Sequence, residues 1–275
     1  MNRGIYEMDE ILKEVAMAHR IVVKVGTSTL TYATGKMNLK RIERLAMVLS
    51  DLHNQGKEII LVSSGAIGIA VGKLGLKEKP SDTRIRQALA AVGQCELMYL
   101  YDKMFGEYKN TVAQILLTRD DISIPRRKRN IQNTFSQLME MGIIPIVNEN
   151  DTVAIEEVEI GDNDTLSAVV ADLVDADLLV LFSDIDGLYD KDPHTSRDAK
   201  LINAVYDIDE VRHLAGGAGT KLGTGGMVTK LDAAERATGA GINMVITNGN
   251  NIDALYDILN GEPSGTLFVS KNFER

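Results

Sequence analysis

The sequence predicts an α/β protein with a mostly parallel β-sheet that is covered by helices on both faces. Short β-branched, apolar segments recur along the chain and are separated by segments with helical spacing. Most of the apolar segments are continuous rather than alternating, which is typical of strands buried on both faces. Small and polar residues follow the ends of these segments, where α/β sheets place their ligands.

The composition favours a globular protein that does not bind nucleic acid or membranes. The chain has 275 residues, of which 44% are hydrophobic, and its net charge is −9. This acidic balance disfavours general binding to polyanions, and no apolar segment approaches the roughly 20 residues that span a bilayer. The single cysteine, Cys95, excludes an internal disulfide and fits a reducing cytoplasm. We expect its thiol to be buried.

Residues 1–18 are predicted to be a short helical N-terminal extension, and residues 19–275 are predicted to form a single domain. The first ten residues are acidic and lack the apolar segment of a secretion signal. No internal repeat or low-complexity segment divides the chain.

Seven short segments rich in valine, isoleucine and leucine are predicted strands, because helices need longer segments. They are Arg20–Gly26, Glu58–Val62, Thr111–Leu117, Ile143–Asn148, Asp177–Phe182, Ile242–Thr247 and Thr266–Val269. Residues Thr152–Ile160 alternate between apolar and polar side chains, so a hairpin or flap is expected there.

Helices are predicted between the strands from helical spacing and capping signals. Asn38 is a candidate N-cap, and apolar residues follow it at helical spacing until Gly56. Further helices are expected from Ala66 to Gly75, from about Ser81 to Tyr108, from Leu166 to Leu173, from Thr229 onward and from Ile252 to Leu259.

Lys24 interrupts the apolar strand Arg20–Gly26. A buried ammonium group is costly unless it reaches a partner at the strand end. We therefore interpret Lys24 as a candidate functional residue, and a lysine that extends to solvent from an edge strand is the alternative.

The segment Leu222–Lys230 reads L-G-T-G-G-M-V-T-K and precedes a predicted helix. Its glycines leave amide N–H groups uncovered, and the helix N-terminus together with Lys230 favours a bound anion. We interpret the segment as a phosphate site. A flexible loop without a ligand is the alternative, since short glycine patterns have low specificity.

Polar residues cluster where the predicted strands end. The clusters are Lys24 with Gly26, Ser64 with Gly65, Asn148 with Asp151, and Ser183 with Asp184. Because the carboxyl ends of parallel strands share one edge of the sheet, we expect these clusters to line one crevice. No G-x-S-x-G pattern surrounds Ser64, so it is interpreted as a ligand-binding residue rather than a nucleophile.

Residues 148–164 contain more carboxylates and amides than helix capping needs. Asp162 and Asp164 are candidate N-caps of the next helix, and the remaining polar side chains are interpreted as ligand-binding. The aspartates after Ser183 lack the spacing of an EF-hand loop, because Gly187 comes too early and the terminal glutamate is missing. A loop beside a nucleotide is favoured there.

Six segments in this order together resemble the amino acid kinase family. They are V-V-K-V-G-T-S-T-L, V-S-S-G-A-I-G, I-V-N-E-N-D, G-D-N-D-T-L-S-A, S-D-I-D-G-L-Y and G-T-G-G-M-V-T-K. The resemblance covers about residues 19 to 270 and is strongest to members that phosphorylate L-glutamate. It implies a three-layer α/β/α sandwich whose N-terminal half binds glutamate and whose C-terminal half binds ATP.

The same resemblance implies roles for individual residues. Lys24 and Lys230 would stabilise the transferring phosphoryl group, and Asp164 would hold both lysines in place. The implied glutamate-binding residues are Ser64, Gly65, Asn148, Asp151 and Asn163. The implied nucleotide-binding residues are Ser183, Asp184, Thr224, Gly225, Gly226, Met227 and Lys230.

The activity that the resemblance implies is ATP-dependent phosphorylation of the γ-carboxylate of L-glutamate to L-glutamyl 5-phosphate, the first step of proline biosynthesis. Mg²⁺ is expected on the ATP phosphates, with no metal ligands from the protein. Feedback inhibition by L-proline and a homo-oligomer are also expected. The chain ends near the end of the kinase domain, so we expect a short form without the C-terminal PUA domain that many relatives carry.

Three alternatives remain open. A sibling kinase could act on acetylglutamate, aspartate, carbamate or a nucleoside monophosphate, although a carboxylate at Asp151 suits a free ammonium, and the N-terminal strand ends offer no arginine for a phosphate. The protein could bind nucleotides without catalysis, although both lysines and Asp164 are present. The basic run Arg126–Arg129 could bind RNA, but an exposed helix start is favoured in so acidic a chain.

Overall fold

A computed structural model describes residues 3–32, 34–153, 162–193, 195–215 and 226–271. In this part of the chain, eight strands form a single sheet with the order β3-β4-β2-β1-β5-β7-β8-β6. The strands are β1 (Arg20–Val25), β2 (Glu58–Ser63), β3 (Val112–Leu117), β4 (Ile144–Glu149), β5 (Leu178–Ser183), β6 (Ala204–Val205), β7 (Asn243–Asn248) and β8 (Thr266–Phe268). Neighbouring strands are parallel except for the antiparallel pair β7 and β8.

Helices connect the strands and cover both faces of the sheet. They are α1 (Arg3–Ala16), α2 (Thr27–Leu30), α3 (Leu39–Asn54), α4 (Ala66–Lys73), α5 (Thr83–Gly106), α6 (Arg119–Ser123), α7 (Pro125–Glu140), α8 (Asn163–Leu173), α9 (Ile208–Val211), α10 (Met227–Gly239) and α11 (Ala254–Leu259), with a short 3-10 helix at Arg212–Ala215. None of the helices described is long and apolar enough to cross a membrane.

The alternation of side chains along β1 divides the core into two layers. Val23 and Val25 pack with buried residues of α3, α5 and α11 on one face. Val22 packs with buried residues of α8 and α10 on the other face. Lys24 is separated from Val22 by one residue, so its side chain leaves the strand on the α8 and α10 face. The result is the three-layer α/β/α sandwich with a mostly parallel central sheet that the family resemblance implied.

The strand order creates a crevice beside Lys24. The chain passes from β1 to β2 on one side and later returns to β5 on the other side, so β1 lies at a switch point of the sheet. Lys24 is paired in register with Val62 of β2 and Leu181 of β5. Open α/β sheets bind ligands outside the carboxyl ends of the strands at such a point.

The seven predicted strands are confirmed, and no boundary shifts by more than one residue. The two-residue strand β6 was not predicted, because it is too short to give a periodic pattern. The loop expected after Gly26 contains a helical turn, α2. The hairpin expected at Thr152–Ile160 falls mainly on residues 154–160, which lie outside the described residues.

The prediction that Cys95 is buried is wrong, because the residue is exposed. The apolar face of α5 that packs on the sheet includes Leu97 and Tyr101, and Cys95 falls on the opposite side between the exposed Val92 and Tyr99. The basic run Arg126–Arg129 lies in the first turns of α7, which confirms the expected helix start. The domain boundary at residue 19 stays a prediction.

Candidate active site

Asp164 forms ion pairs with two lysines that come from distant parts of the chain. Its Oδ1 lies 2.5 Å from Lys24 Nζ on β1, and its Oδ2 lies 3.0 Å from Lys230 Nζ on α10. Asp164 is 1% exposed, and each lysine is 8% exposed. The two ammonium groups are therefore held on one buried carboxylate at the carboxyl end of β1.

The electrostatic balance keeps Asp164 ionised. Burial alone would raise the pKa of its carboxyl group, but the charges of Lys24 and Lys230 and the hydrogen bonds from both ammonium groups outweigh this effect. The pKa of Asp164 is therefore lowered from its usual value. A carboxylate that stays charged can orient both lysines over the whole physiological pH range.

Local sequence explains why Asp164 reaches this position. Asp162 is the N-cap of α8, and its Oδ1 accepts a hydrogen bond of 2.9 Å from the backbone N–H of Thr165. The helix then begins at Asn163, so Asp164 lies in its first turn. Ser167 donates to the backbone carbonyl of Asp164 at 2.6 Å. Of the two candidate N-caps, Asp162 is the cap, while Asp164 binds the lysines.

A second group of polar side chains lies beside the lysines. Asn163 Nδ2 is 2.7 Å from Ser64 Oγ and 3.0 Å from Asn148 Oδ1. Asn148 in turn donates from Nδ2 to Gln94 Oε1 at 3.0 Å. Residues at the ends of β2 and β4, at the start of α8 and in the middle of α5 are thereby joined in one hydrogen-bond network.

Gly65 allows the chain to turn sharply between β2 and α4. Its φ of 101° lies in the left-handed region, which side chains with a Cβ disfavour, and it is the N-cap residue of α4. The backbone N–H groups of the first turn of α4 have no capping side chain, so they remain available to an anion. Gly65 thus places a helix N-terminus directly after Ser64.

Asp151 lies in the turn that follows β4, and its side chain is half-buried. The turn is anchored to the sheet edge by a hydrogen bond of 2.8 Å from Asn150 N to the carbonyl of Leu117 on β3. Asp151 is therefore at the same edge of the sheet as Asn148, as the sequence predicted.

The predicted nucleotide-binding residues are only partly described. Ser183 ends β5, and its hydroxyl donates to Asp184 Oδ1 at 3.2 Å. Gly226 is the N-cap of α10, and Met227 is its first residue. Gly226 provides no side-chain cap, so N–H groups of the first turn of α10 are available to a ligand. Thr224 and Gly225 lie outside the described residues.

Sequence reasoning missed the contacts that two residues make at the site. Thr229 Oγ1 lies 3.2 Å from Asp164 Oδ2 and 2.9 Å from the carbonyl of Gly226, so it links the start of α10 to the central carboxylate. Gln94 is buried with its amide bonded to Asn148. One feature of the sequence could have revealed Gln94. It is a polar residue three positions before the apolar Leu97, in a helix whose buried side chains are otherwise mostly apolar.

Comparisons with known proteins identify relatives of the whole chain. The sequence model of the amino acid kinase family matches residues 19–248. Glutamate 5-kinase from Clostridium perfringens is 58% identical over 267 residues, which cover 95% of this chain and 99% of that protein. Glutamate 5-kinase from Listeria innocua is 54% identical over 272 residues, which cover 97% of this chain and 98% of that protein.

Solved structures share the fold at low identity. UMP kinase from Bacillus anthracis matches with a TM-score of 0.62 and 16% identity, covering 92% of this chain and 97% of that chain. An isopentenyl phosphate kinase from T. acidophilum matches with a TM-score of 0.61 and 17% identity, covering 90% of this chain and 99% of that chain. These matches confirm the predicted fold class. Together with the family match and the nearly full-length relatives, they show that the chain belongs to the amino acid kinase family and, within it, to the glutamate 5-kinases.

Proposed function

We propose that the chain transfers the γ-phosphoryl group of ATP to the γ-carboxylate of L-glutamate, forming ADP and L-glutamyl 5-phosphate. The observation that carries this proposal is the pairing of Lys24 and Lys230 with the buried Asp164. Similarity to glutamate 5-kinases over almost the whole chain supports the choice of substrate.

Phosphoryl transfer depends on positioning and charge stabilisation more than on covalent chemistry. A glutamate carboxylate oxygen forms a bond to the γ-phosphorus while the bond from that phosphorus to the bridging oxygen breaks, and ADP leaves with the electron pair. Both reactants are anionic, so they repel each other. Lys24 and Lys230 would offset this repulsion and stabilise the charge on the transferred group from two sides.

Asp164 acts in this scheme by orienting the lysines. An ammonium group has three N–H donors, so the bond from Lys24 to Asp164 does not exhaust its capacity to bond a phosphoryl oxygen. No general base is required, because a glutamate side chain with a pKa of about 4.3 is already ionised at neutral pH.

The glutamate molecule is proposed to bind to residues of the N-terminal half and of the start of α8. Asp151 would pair with the α-ammonium group. Ser64, Asn148 and Asn163 would contribute hydrogen bonds, and the N–H groups after Gly65 would face a carboxylate. The proximity of Ser64, Asn148 and Asn163 in one network supports this grouping.

ATP is proposed to bind to the C-terminal half. Ser183 and Asp184 follow β5, and Gly226, Met227 and Lys230 belong to the start of α10. Thr224 and Gly225 would extend this phosphate site from the preceding loop. The N–H groups at the start of α10 support a bound phosphate, because they and the helix dipole favour negative charge.

The residues brought together at the site do not suit a Mg²⁺ ion held by the protein. The carboxylate of Asp164 is already shared by two ammonium groups, and no group of three or more acidic, histidine or cysteine side chains suited to a metal occurs among the described residues. We propose that Mg²⁺ enters on the phosphates of ATP, as is usual for this ion.

Three further features belong to the same proposal. L-Proline carries an amine and a carboxylate like the substrate, so it would compete for part of the glutamate pocket as a feedback inhibitor.

A homo-oligomer is supported by Ile85, Val92 and Tyr99, exposed apolar residues at seven-residue spacing on α5. A cytoplasmic location fits the use of ATP, and the acidic net charge disfavours nucleic acid as a partner.

The test is to trap the acyl phosphate with hydroxylamine. L-Glutamate, N-acetyl-L-glutamate and L-aspartate are supplied in turn with ATP, and the hydroxamate is measured, while ADP release is followed in parallel with UMP. We expect a strong signal with L-glutamate alone. Equal or faster turnover of N-acetyl-L-glutamate, L-aspartate or UMP would replace this proposal by a sibling kinase, and no turnover of any substrate would favour a nucleotide-binding protein without catalysis.

A further inference from the structure

A backbone N–H group determines the direction of every hydrogen bond in the amide network beside the lysines. The N–H of Glu149 can only donate, and it lies 2.9 Å from the side-chain oxygen of Asn148. This contact requires that Oδ1 of Asn148 faces Glu149 and that Nδ2 faces the other way. The orientation of the Asn148 amide therefore follows from the backbone N–H of Glu149, which cannot act as an acceptor.

The orientation of Asn148 extends to both of its neighbours. Asn148 Oδ1 also accepts from Asn163 Nδ2 at 3.0 Å, so Asn163 faces the network with its donor side. Asn163 Nδ2 donates at 2.7 Å to Ser64 Oγ, which leaves the hydroxyl hydrogen of Ser64 for another acceptor. The oxygen of the Asn163 amide is likewise directed away from Asn148.

On its other side, Asn148 needs an acceptor, and Gln94 is that acceptor. Asn148 Nδ2 donates to Gln94 Oε1 at 3.0 Å in a buried setting. Gln94 is 7% exposed, and its own Nε2 has no hydrogen-bond partner within the described part of the chain. A buried donor without an acceptor is unfavourable. The bond to Asn148 explains the orientation of the Gln94 amide. A flipped amide would place Gln94 Nε2 against Asn148 Nδ2, and both of these groups are donors.

Close packing of two helices brings Gln94 to this place. Gly93 precedes it on α5, and a Cβ atom at Gly93 would lie only 1.7 Å from the carbonyl oxygen of Ala66, the first residue of α4. The absence of a side chain at Gly93 lets α5 pass directly beside the turn that carries Ser64.

We propose that Gln94 is a positioning residue for the acceptor substrate. It acts through Asn148: Gln94 Oε1 and the N–H of Glu149 together hold the Asn148 amide in one orientation. That orientation directs the oxygen of Asn163 to a cationic group and the hydroxyl of Ser64 to a carboxylate. This pattern of one acceptor and one donor suits a zwitterionic amino acid. The inference rests on the proposed function, because the ligand it orients is the amino acid of that reaction.

The test compares variants that remove or keep the acceptor at position 94. Gln94→Met has a similar length and no acceptor, whereas Gln94→Glu keeps an oxygen for Asn148. Gln137→Met is the matched control, because Gln137 is exposed on α7 away from the network. Hydroxamate formation gives kcat and the KM of both substrates, and circular dichroism with thermal unfolding reports whether each variant folds.

We expect Gln94→Met to raise KM for L-glutamate by about tenfold, in line with the loss of one buried hydrogen bond, while KM for ATP stays within about twofold. Gln94→Glu should restore KM for L-glutamate to within about threefold of the wild type, since its oxygen can replace Oε1. Equal increases in both KM values, or a rise with Gln94→Glu as large as with Gln94→Met, would overturn the proposal. If Gln94→Met does not fold, Gln94→Glu is the deciding variant. A KM for L-glutamate more than about threefold above that of the wild type would then overturn the proposal.

A double-mutant cycle tests whether Gln94 acts through Asn148. In an Asn148→Ala background, Gln94→Met should have no further effect on KM for L-glutamate, because the group it orients is gone. Additive effects would overturn the proposal. If the wild type phosphorylates L-glutamate and the Gln94 variants behave normally, only this inference fails. If the wild type does not phosphorylate L-glutamate, the proposed function fails and this inference fails with it.

Discussion

Asn163 and Asp164 are consecutive residues in the first turn of α8, and their side chains organise two different parts of the site. Asn163 bonds to Ser64 in the amide network, and Asp164 binds Lys24 and Lys230. Consecutive helical residues point about 100° apart, so one helix N-terminus serves both groups. A small rotation of α8 would therefore disturb the amide network and the lysine pair together.

Asp164→Asn should lower the free energy of unfolding at neutral pH and make that free energy less dependent on pH in the acidic range. The pKa of Asp164 is lowered in the folded state, so the unfolded state binds more protons. Its contribution to stability is complete above the unfolded pKa of about 3.9 and is lost as the pH falls through the lower folded pKa. The variant should lose about 3–5 kcal/mol at neutral pH, the usual effect of breaking a buried ion pair.

This prediction is checked by urea unfolding of wild type and Asp164→Asn between neutral and acidic pH. The difference in the free energy of unfolding should shrink as the pH drops below about 3.9. A difference that does not change with pH would show that the charge of Asp164 is not the cause.

Lys24→Met and Lys230→Met should each lower kcat by about a hundredfold or more, as when one donor to a developing anion is lost. Methionine keeps much of the apolar stem, so packing is largely preserved. Lys40→Met, at an exposed position of α3, is the control and should behave as wild type. The roles assigned to the lysines would be wrong for any variant that folds normally and retains near-wild-type kcat.

Asp151→Asn should raise KM for L-glutamate strongly and leave KM for ATP nearly unchanged. The carboxylate is proposed to pair with the α-ammonium group, and breaking such a pair costs about 2–5 kcal/mol. Inhibition by L-proline should weaken in the same variant, because its amine would use the same partner. Steady-state kinetics with and without L-proline measure both effects.

Asp120→Asn is the control for Asp151, because Asp120 is an exposed residue of α6. If Asp151→Asn changed the KM of both substrates alike, Asp151 would be a structural residue of the turn rather than the partner of the amine.

Gly93→Ala should destabilise the protein, whereas Gly106→Ala on the same helix should not. A Cβ at Gly93 would lie 1.7 Å from the carbonyl oxygen of Ala66, while a Cβ at Gly106 would meet nothing within 4 Å. The first change must separate α4 from α5, and the second gains up to about 1 kcal/mol from the reduced entropy of the unfolded chain. Thermal unfolding measures the contrast, and similar stabilities would contradict the close packing.

Tyr99→Glu should shift the protein toward smaller species if the exposed face of α5 is buried between copies of the chain. Ile85, Val92 and Tyr99 are 48%, 38% and 64% exposed, and exposed apolar patches mark interaction surfaces. Light scattering after size-exclusion chromatography measures the mass, with the exposed Met141→Glu on the loop after α7 as control. An unchanged mass would exclude this face as the interface.

The strands and most helices could be predicted because their signals are local. β1 and β2 are short segments rich in valine, isoleucine and leucine. Asn38 caps α3 as expected and accepts a hydrogen bond of 3.2 Å from the N–H of Arg41. β6 could not be predicted, since two residues carry no periodicity. Cys95 was assigned to the wrong face of α5, because that helix has apolar or small residues on most of its circumference.

The sequence by itself determined which residues could matter: a lysine inside an apolar strand, a serine and glycine at a strand end, and a run of carboxylates and amides before α8. These are short-range patterns, and each reflects the cost of burying a polar group without a partner. The residues alone did not determine the partners. Only the resemblance to a family suggested that Asp164 joins Lys24 and Lys230.

The tertiary structure decided the partners, because a contact between distant residues depends on strand order and helix packing rather than on periodicity. The return of the chain to the far side of β1 and the packing of α8 on α10 bring Lys24, Asp164 and Lys230 together. The close approach of α5 to α4 at Gly93 brings Gln94 to Asn148. Close packing in a sandwich core leaves few arrangements that satisfy all of these buried polar groups at once.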